Sequence, residues 1–142
     1  SCISVQRIYL HENIYDRFIS LFLGKVNSLK SGDPADEQTD VGPLIHPDEY
    51  VRVSSWIENA VDNGAKILTG GKKEGNIFQP TVITDVKPEL QISCQEVFAP
   101  VVVVYKYSDF NDALEQVNDS DFGLQAGVFT NDAKLIFKAY DE

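Results

Sequence analysis

A three-layer α/β domain with a mostly parallel sheet is the fold class this sequence predicts, and three observations carry the prediction. Strand-like and helix-like stretches alternate, in the approximate order β-α-α-β-β-β-α-β-α, as in layered α/β domains. Val101 to Val104 and Tyr105 form an unbroken apolar run, which suits a strand covered on both faces. The chain has 142 residues, of which 43% are hydrophobic and 24% charged, so it makes one ordinary globular domain with a real core.

Taken in order, residues 5–10 read as a strand, stopped by the polar pair His11-Glu12. Asn13 is a candidate N-cap for a helix reaching about Lys30, with Tyr15, Phe18, Phe22, Val26 and Leu29 on one stripe. Gly32 and Pro34 end it, and residues 33–46 form a polar loop. Pro47 suits the first position of a second helix, and Asp48 and Glu49 favour its positive N-terminus. Tyr50, Val53, Ile57, Ala60 and Val61 mark its buried face, and Gly64 its left-handed terminator. Residues 65–69 make a short strand closed by Gly70-Gly71, and Gly75 marks a further turn. An extended segment spans 79–86, with residues 88–93 irregular after it. Asp109 caps a helix to about Asn118, residues 123–129 read as another strand, and Asn131 or Asp132 opens a last helix.

The net charge of −10, from 12 basic and 22 acidic residues, argues against nucleic acid or an anionic membrane surface as partner. No apolar run approaches the ~20 residues of a membrane span. Two well-separated cysteines make no disulfide framework, and a reducing cytosol is the expected compartment. His11 and His46 lack metal-ligand spacing and read as surface or capping residues. No methionine occurs, which points to a segment of a longer protein.

Two places carry candidate chemistry. Cys2 precedes the first strand, and a cysteine thiolate is a strong nucleophile when a base, a cation or a helix N-terminus activates it. No histidine is near it in sequence, and Arg7 lies on the adjoining strand, so a structural thiol remains the alternative. Cys94 reads as structural. In Gln95-Glu96-Val97-Phe98-Ala99-Pro100 the carboxylate of Glu96 and the ring of Phe98 point the same way if the segment is extended. Glu96 can then accept two hydroxyl hydrogen bonds, as from a ribose, and Phe98 can pack on a flat ring; the alternative is a surface glutamate and a core phenylalanine.

Four stretches together resemble the catalytic domain of the aldehyde dehydrogenase superfamily. Ser1-Cys2-Ile3-Ser4-Val5-Gln6-Arg7-Ile8-Tyr9 is similar to its nucleophile segment. Gly32-Asp33-Pro34, Thr39 and Gly42-Pro43-Leu44-Ile45 resemble the loop between its first two helices. Glu96-Val97-Phe98-Ala99-Pro100 resembles its Glu-x-Phe-Gly-Pro signature, with Ala99 in place of glycine, and Gly123 to Thr130 resembles its late strand. The resemblance implies that Cys2 attacks an aldehyde, that hydride passes to NAD or NADP, and that water activated by a glutamate releases the acid. It implies that Glu96 binds the nicotinamide ribose and that Phe98 packs near the nicotinamide. Glu49 falls where many members carry a glutamine touching the adenosine-side ribose. An asparagine, the base glutamate and the Rossmann-like cofactor domain belong upstream, so the chain is expected to be truncated at both ends and inactive alone. A homo-oligomer, dimer or tetramer, is implied for the whole protein. Two rival functions remain at this level: an acylating dehydrogenase that transfers the acyl group to coenzyme A, and a nonenzymatic packing or oligomerisation module.

Overall fold

The computed structural model describes residues 2–142; Ser1, the first residue of the nucleophile-like motif, lies outside them. Strand β1 (Arg7–His11) leads into helix α1 (Glu12–Asn27). Helix α2 (Pro47–Asp62) is followed by β2 (Lys66–Thr69), the short hairpin of β3 (Lys73–Glu74) and β4 (Ile77–Phe78), and β5 (Thr81–Thr84). One helical turn, α3 (Gln91–Cys94), precedes β6 (Val101–Tyr107), and α4 (Phe110–Asn118) and α5 (Ala133–Asp141) complete the order. The main sheet runs β1-β6-β5-β2, parallel across β1, β6 and β5, with β2 an antiparallel edge.

The valine strand explains the layering. Side chains alternate across a strand, so Val101 and Val103 face one side and Val102 and Val104 the other. The first pair joins Ile83 and the Tyr50, Val53, Ile57 and Ala60 stripe of α2. The second meets Leu10, Val82 and the Phe18, Phe22 and Val26 stripe of α1. The sheet is thus sandwiched between α1 and α2, as the fold class predicts.

Several local expectations change. Asn13 is not the N-cap of α1; that role belongs to His11, whose Nδ1 accepts from the Asn13 N–H at 3.2 Å. The reason is that β1 stays paired through His11, opposite Tyr107, so the helix starts at once. His46 caps α2 in the same way, accepting from Asp48 N–H, so both histidines are caps. Helix α1 stops at Asn27, short of Lys30. Part of the segment read as irregular after residue 88 closes into α3. Residues 123–129 form no strand, because a strand needs a neighbouring ladder and none is offered among the described residues; Leu124 is 67% exposed and Phe129 fully so. At Gly70 the backbone has φ +75°, and a Cβ would stand 2.2 Å from the Pro80 carbonyl oxygen, so only glycine fits this turn.

Tyr9 and Tyr105 sit opposite each other on β1 and β6, their rings stacked at 5.0 Å. Burial pushes the Tyr105 phenol above its ordinary value, partly offset by its 2.6 Å hydrogen bond to the Ser93 hydroxyl. A phenol raised in the folded state stabilises fully below the unfolded value, about 10, and that stability is lost as pH rises through the folded value. Thermal melts across the alkaline range should therefore show a decline in stability beginning near pH ~10. Tyr105→Phe should flatten that decline while costing about 1 kcal/mol at neutral pH, since the buried Ser93 hydroxyl loses its partner. An alkaline limb identical in the variant would refute the assignment.

Candidate active site

Cys2 and the Glu96 loop lie ahead of two neighbouring strands, β1 and β6, that run parallel with Arg7 in register with Val103. Parallel pairing brings both approaches to the same end of the sheet. Cys2 is in a turn and its thiol is exposed. Arg7, the cation nearest to it in sequence, is committed elsewhere. Its guanidinium donates to the carbonyls of Gln116 and Val117, both at 3.1 Å, where it satisfies the C-terminal end of α4. The other cysteine is half-buried, and its Sγ donates to the Glu89 carbonyl at 3.4 Å, which fits a structural thiol.

Exposure alternates along the loop before β6, although the backbone is not extended at Phe98, the condition on which the expectation from sequence rested. Val97 is 1% exposed and anchors the loop inward, while Glu96 and Phe98 face out. Phe98 has φ 50°, in the left-handed region. For a bulky aromatic this costs on the order of 1–3 kcal/mol, and such strain persists only where surrounding contacts over-determine it. Those contacts converge on Val97. Its N–H donates to Gln6 Oε1 at 3.0 Å, and its carbonyl accepts from Arg52 Nη2 at 2.7 Å. The amide nitrogen of Gln6 also donates to the Gln95 carbonyl at 2.7 Å. Glu49, in the first turn of α2, ion-pairs with Arg52, whose guanidinium lies over the Trp56 ring at 4.4 Å.

The fold thus links Glu49 to the loop of Glu96 and Phe98 through Arg52, which bonds both the Glu49 carboxylate and the Val97 carbonyl. Gln6 and Arg52 were not singled out from the sequence. Their partners are far along the chain, and the available signal was general: a buried loop residue such as Val97 must find partners for its backbone. The Glu96 carboxylate accepts no hydrogen bond among the described residues, and Phe98 is 54% exposed. An unengaged carboxylate beside an outward aromatic fits a sugar diol and the flat ring attached to it. Among the described residues no group of three or more histidine, cysteine, aspartate and glutamate side chains could hold a metal ion.

The sequence pattern of the aldehyde dehydrogenase family matches residues 1–142. The chain is 48% identical over 141 residues to 3-sulfolactaldehyde dehydrogenase of Priestia aryabhattai, covering 99% of this chain and 30% of that protein. It is 42% identical over 145 residues to succinate-semialdehyde dehydrogenase [NADP(+)] 2 of Schizosaccharomyces pombe, covering 99% and 29%. Among solved structures, aldehyde dehydrogenase 21 from Physcomitrella patens, in complex with the reaction product succinate, superposes with a TM-score of 0.95 at 42% identity, over 99% of this chain and 29% of that one. The chain therefore spans about 30% of the length of these relatives. Its sequence over its whole length and its superposition on solved structures fit one family, and the chain belongs to the aldehyde dehydrogenase family.

Proposed function

We propose that this chain carries the nucleophile and part of the cofactor site of an enzyme that oxidises an aldehyde to a carboxylic acid with NAD or NADP. The observation that carries the reading is the placement of the exposed Cys2 thiol and the outward Glu96–Phe98 pair ahead of adjacent parallel strands. Family membership supports it.

In this reading the Cys2 sulfur, as thiolate, attacks the aldehyde carbon. A C–S bond forms and the carbonyl π pair moves onto oxygen, giving a thiohemiacetal oxyanion held by N–H donors that include the backbone of Cys2. The nicotinamide, when bound, supplies the hydride acceptor. Cys2 then retains the acyl group as a thioester until water cleaves the C–S bond and the thiol is restored. Glu96 orients the nicotinamide-side ribose through its two carboxylate oxygens, and Phe98 offers its ring to the nicotinamide. Glu49 acts on the same site, at the adenosine-side ribose and through Arg52. The groups that activate water come from parts of the whole protein outside this chain, which by itself should give no turnover.

The reading is tested by trapping the thioester. The full-length protein, mixed with an aldehyde and oxidised cofactor and quenched in acid, should yield a peptide acylated at Cys2 by mass spectrometry. Acylation at another residue, with Cys2 unmodified, would remove Cys2 from the mechanism.

A further inference from the structure

Resting on the reading just given, we propose that Gln6 is a positioning residue: its side chain sets Glu96 and Phe98 for the nicotinamide cofactor relative to Cys2. The geometry is specific. Glu96 is flanked by the Gln95 carbonyl and the Val97 N–H, and the one amide of Gln6 takes both, donating to the first at 2.7 Å and accepting from the second at 3.0 Å. A longer contact of 3.5 Å joins the same nitrogen to the Ser93 carbonyl. Gln6 thus spans residue 96 as a neighbouring strand would, although among the described residues no strand pairs with the loop at that point. Its own backbone is fixed as well, since the Gln6 carbonyl accepts from the Val103 N–H at 2.8 Å. The same residue is therefore locked into the β1–β6 ladder by its backbone and into the cofactor loop by its side chain. It stands in the short stretch that joins Cys2 to β1, so the thiol and the carboxylate are referred to a common fixed point. Arg52 completes the hold from the other side, on the Val97 carbonyl. With both polar groups of Val97 taken by side chains, the left-handed backbone at Phe98 is over-determined.

Gln6→Met keeps length and volume but has no amide to donate or accept. Gln6→Glu keeps the acceptor for Val97 N–H and loses the donor to the Gln95 carbonyl. Both belong in the full-length enzyme, probed with NAD and NADP. In the cofactor-free Gln6→Met protein, amide exchange at Val97 should quicken by about tenfold or more, while exchange in the core of β6 is unchanged. Cofactor Kd, from quenching of protein fluorescence, should rise about tenfold, the loss expected for one or two hydrogen bonds of ordinary net strength. The KM for cofactor should follow it, with the KM for aldehyde moving less than about twofold. Gln6→Glu should fall between, at about threefold in Kd, and it decides the matter if the methionine variant does not fold. Wild-type Kd in the folded variants, or a raised Kd with Val97 exchange unchanged, would overturn the role of Gln6 and leave the proposed function standing. A wild-type enzyme that binds neither nucleotide would overturn that function and this inference with it.

Discussion

Cys2→Ala in the full-length enzyme should abolish aldehyde oxidation, lowering kcat by on the order of 10⁴-fold or more, because the substitution removes the atom proposed to hold the acyl group. The same substitution should leave stability within about 0.5 kcal/mol of wild type, since the thiol is exposed. That pairing of a large kinetic effect with a small thermal one separates a nucleophile from a structural cysteine. Cys94→Ser provides the contrast. Its sulfur donates to the Glu89 carbonyl, a bond a hydroxyl can also make, so turnover should stay near wild type. Turnover of the Cys2 variant near the wild-type level, followed by the absorbance of reduced nicotinamide, would exclude Cys2 from the chemistry.

Glu96→Gln should lower kcat/KM for the cofactor by about ten- to a hundredfold, the range expected when a charged acceptor of one or two hydrogen bonds becomes neutral. The fold should hardly notice, because the carboxylate makes no hydrogen bond among the described residues and faces out. Initial rates at varied cofactor, with aldehyde held saturating, measure the loss. Unchanged cofactor kinetics would show that Glu96 does not touch the ribose.

How much of this could be read before the structure depended on whether the signal was local. The cap at Asp109, the proline at the start of α2 and the glycine after it are short-range devices, and α2 and α4 lie where they point. The uninterrupted valine run announced a strand with both faces covered, and β6 has both covered. The expected strand at 123–129 had the right composition, but extended backbone becomes a strand only when another strand pairs with it. Residue pattern cannot supply that partner. The candidate site divides along the same line. Cys2, Glu96 and Phe98 stood out through motif resemblance, and the fold gives all three exposed positions. Gln6 and Arg52 escaped notice because their roles consist of contacts with a loop far away in the chain, and an isolated glutamine or helical arginine carries no mark of its partner.

The β1–β6 pairing has a consequence for biosynthesis. Arg7 is hydrogen-bonded into the sheet beside Val103, so the strand that follows the thiol is translated long before its neighbour exists. At ribosomal rates of about 5–20 residues per second, β1 waits roughly 5–20 s for β6 to emerge. Throughout that interval Ile8 and Leu10 lack the β6 side of their sheet, and the Gln6 amide has no loop to hold. For that time the nascent chain carries a strand that lacks its β6 neighbour, with a free thiol close by, a state on which chaperones and thiol-reducing systems can act.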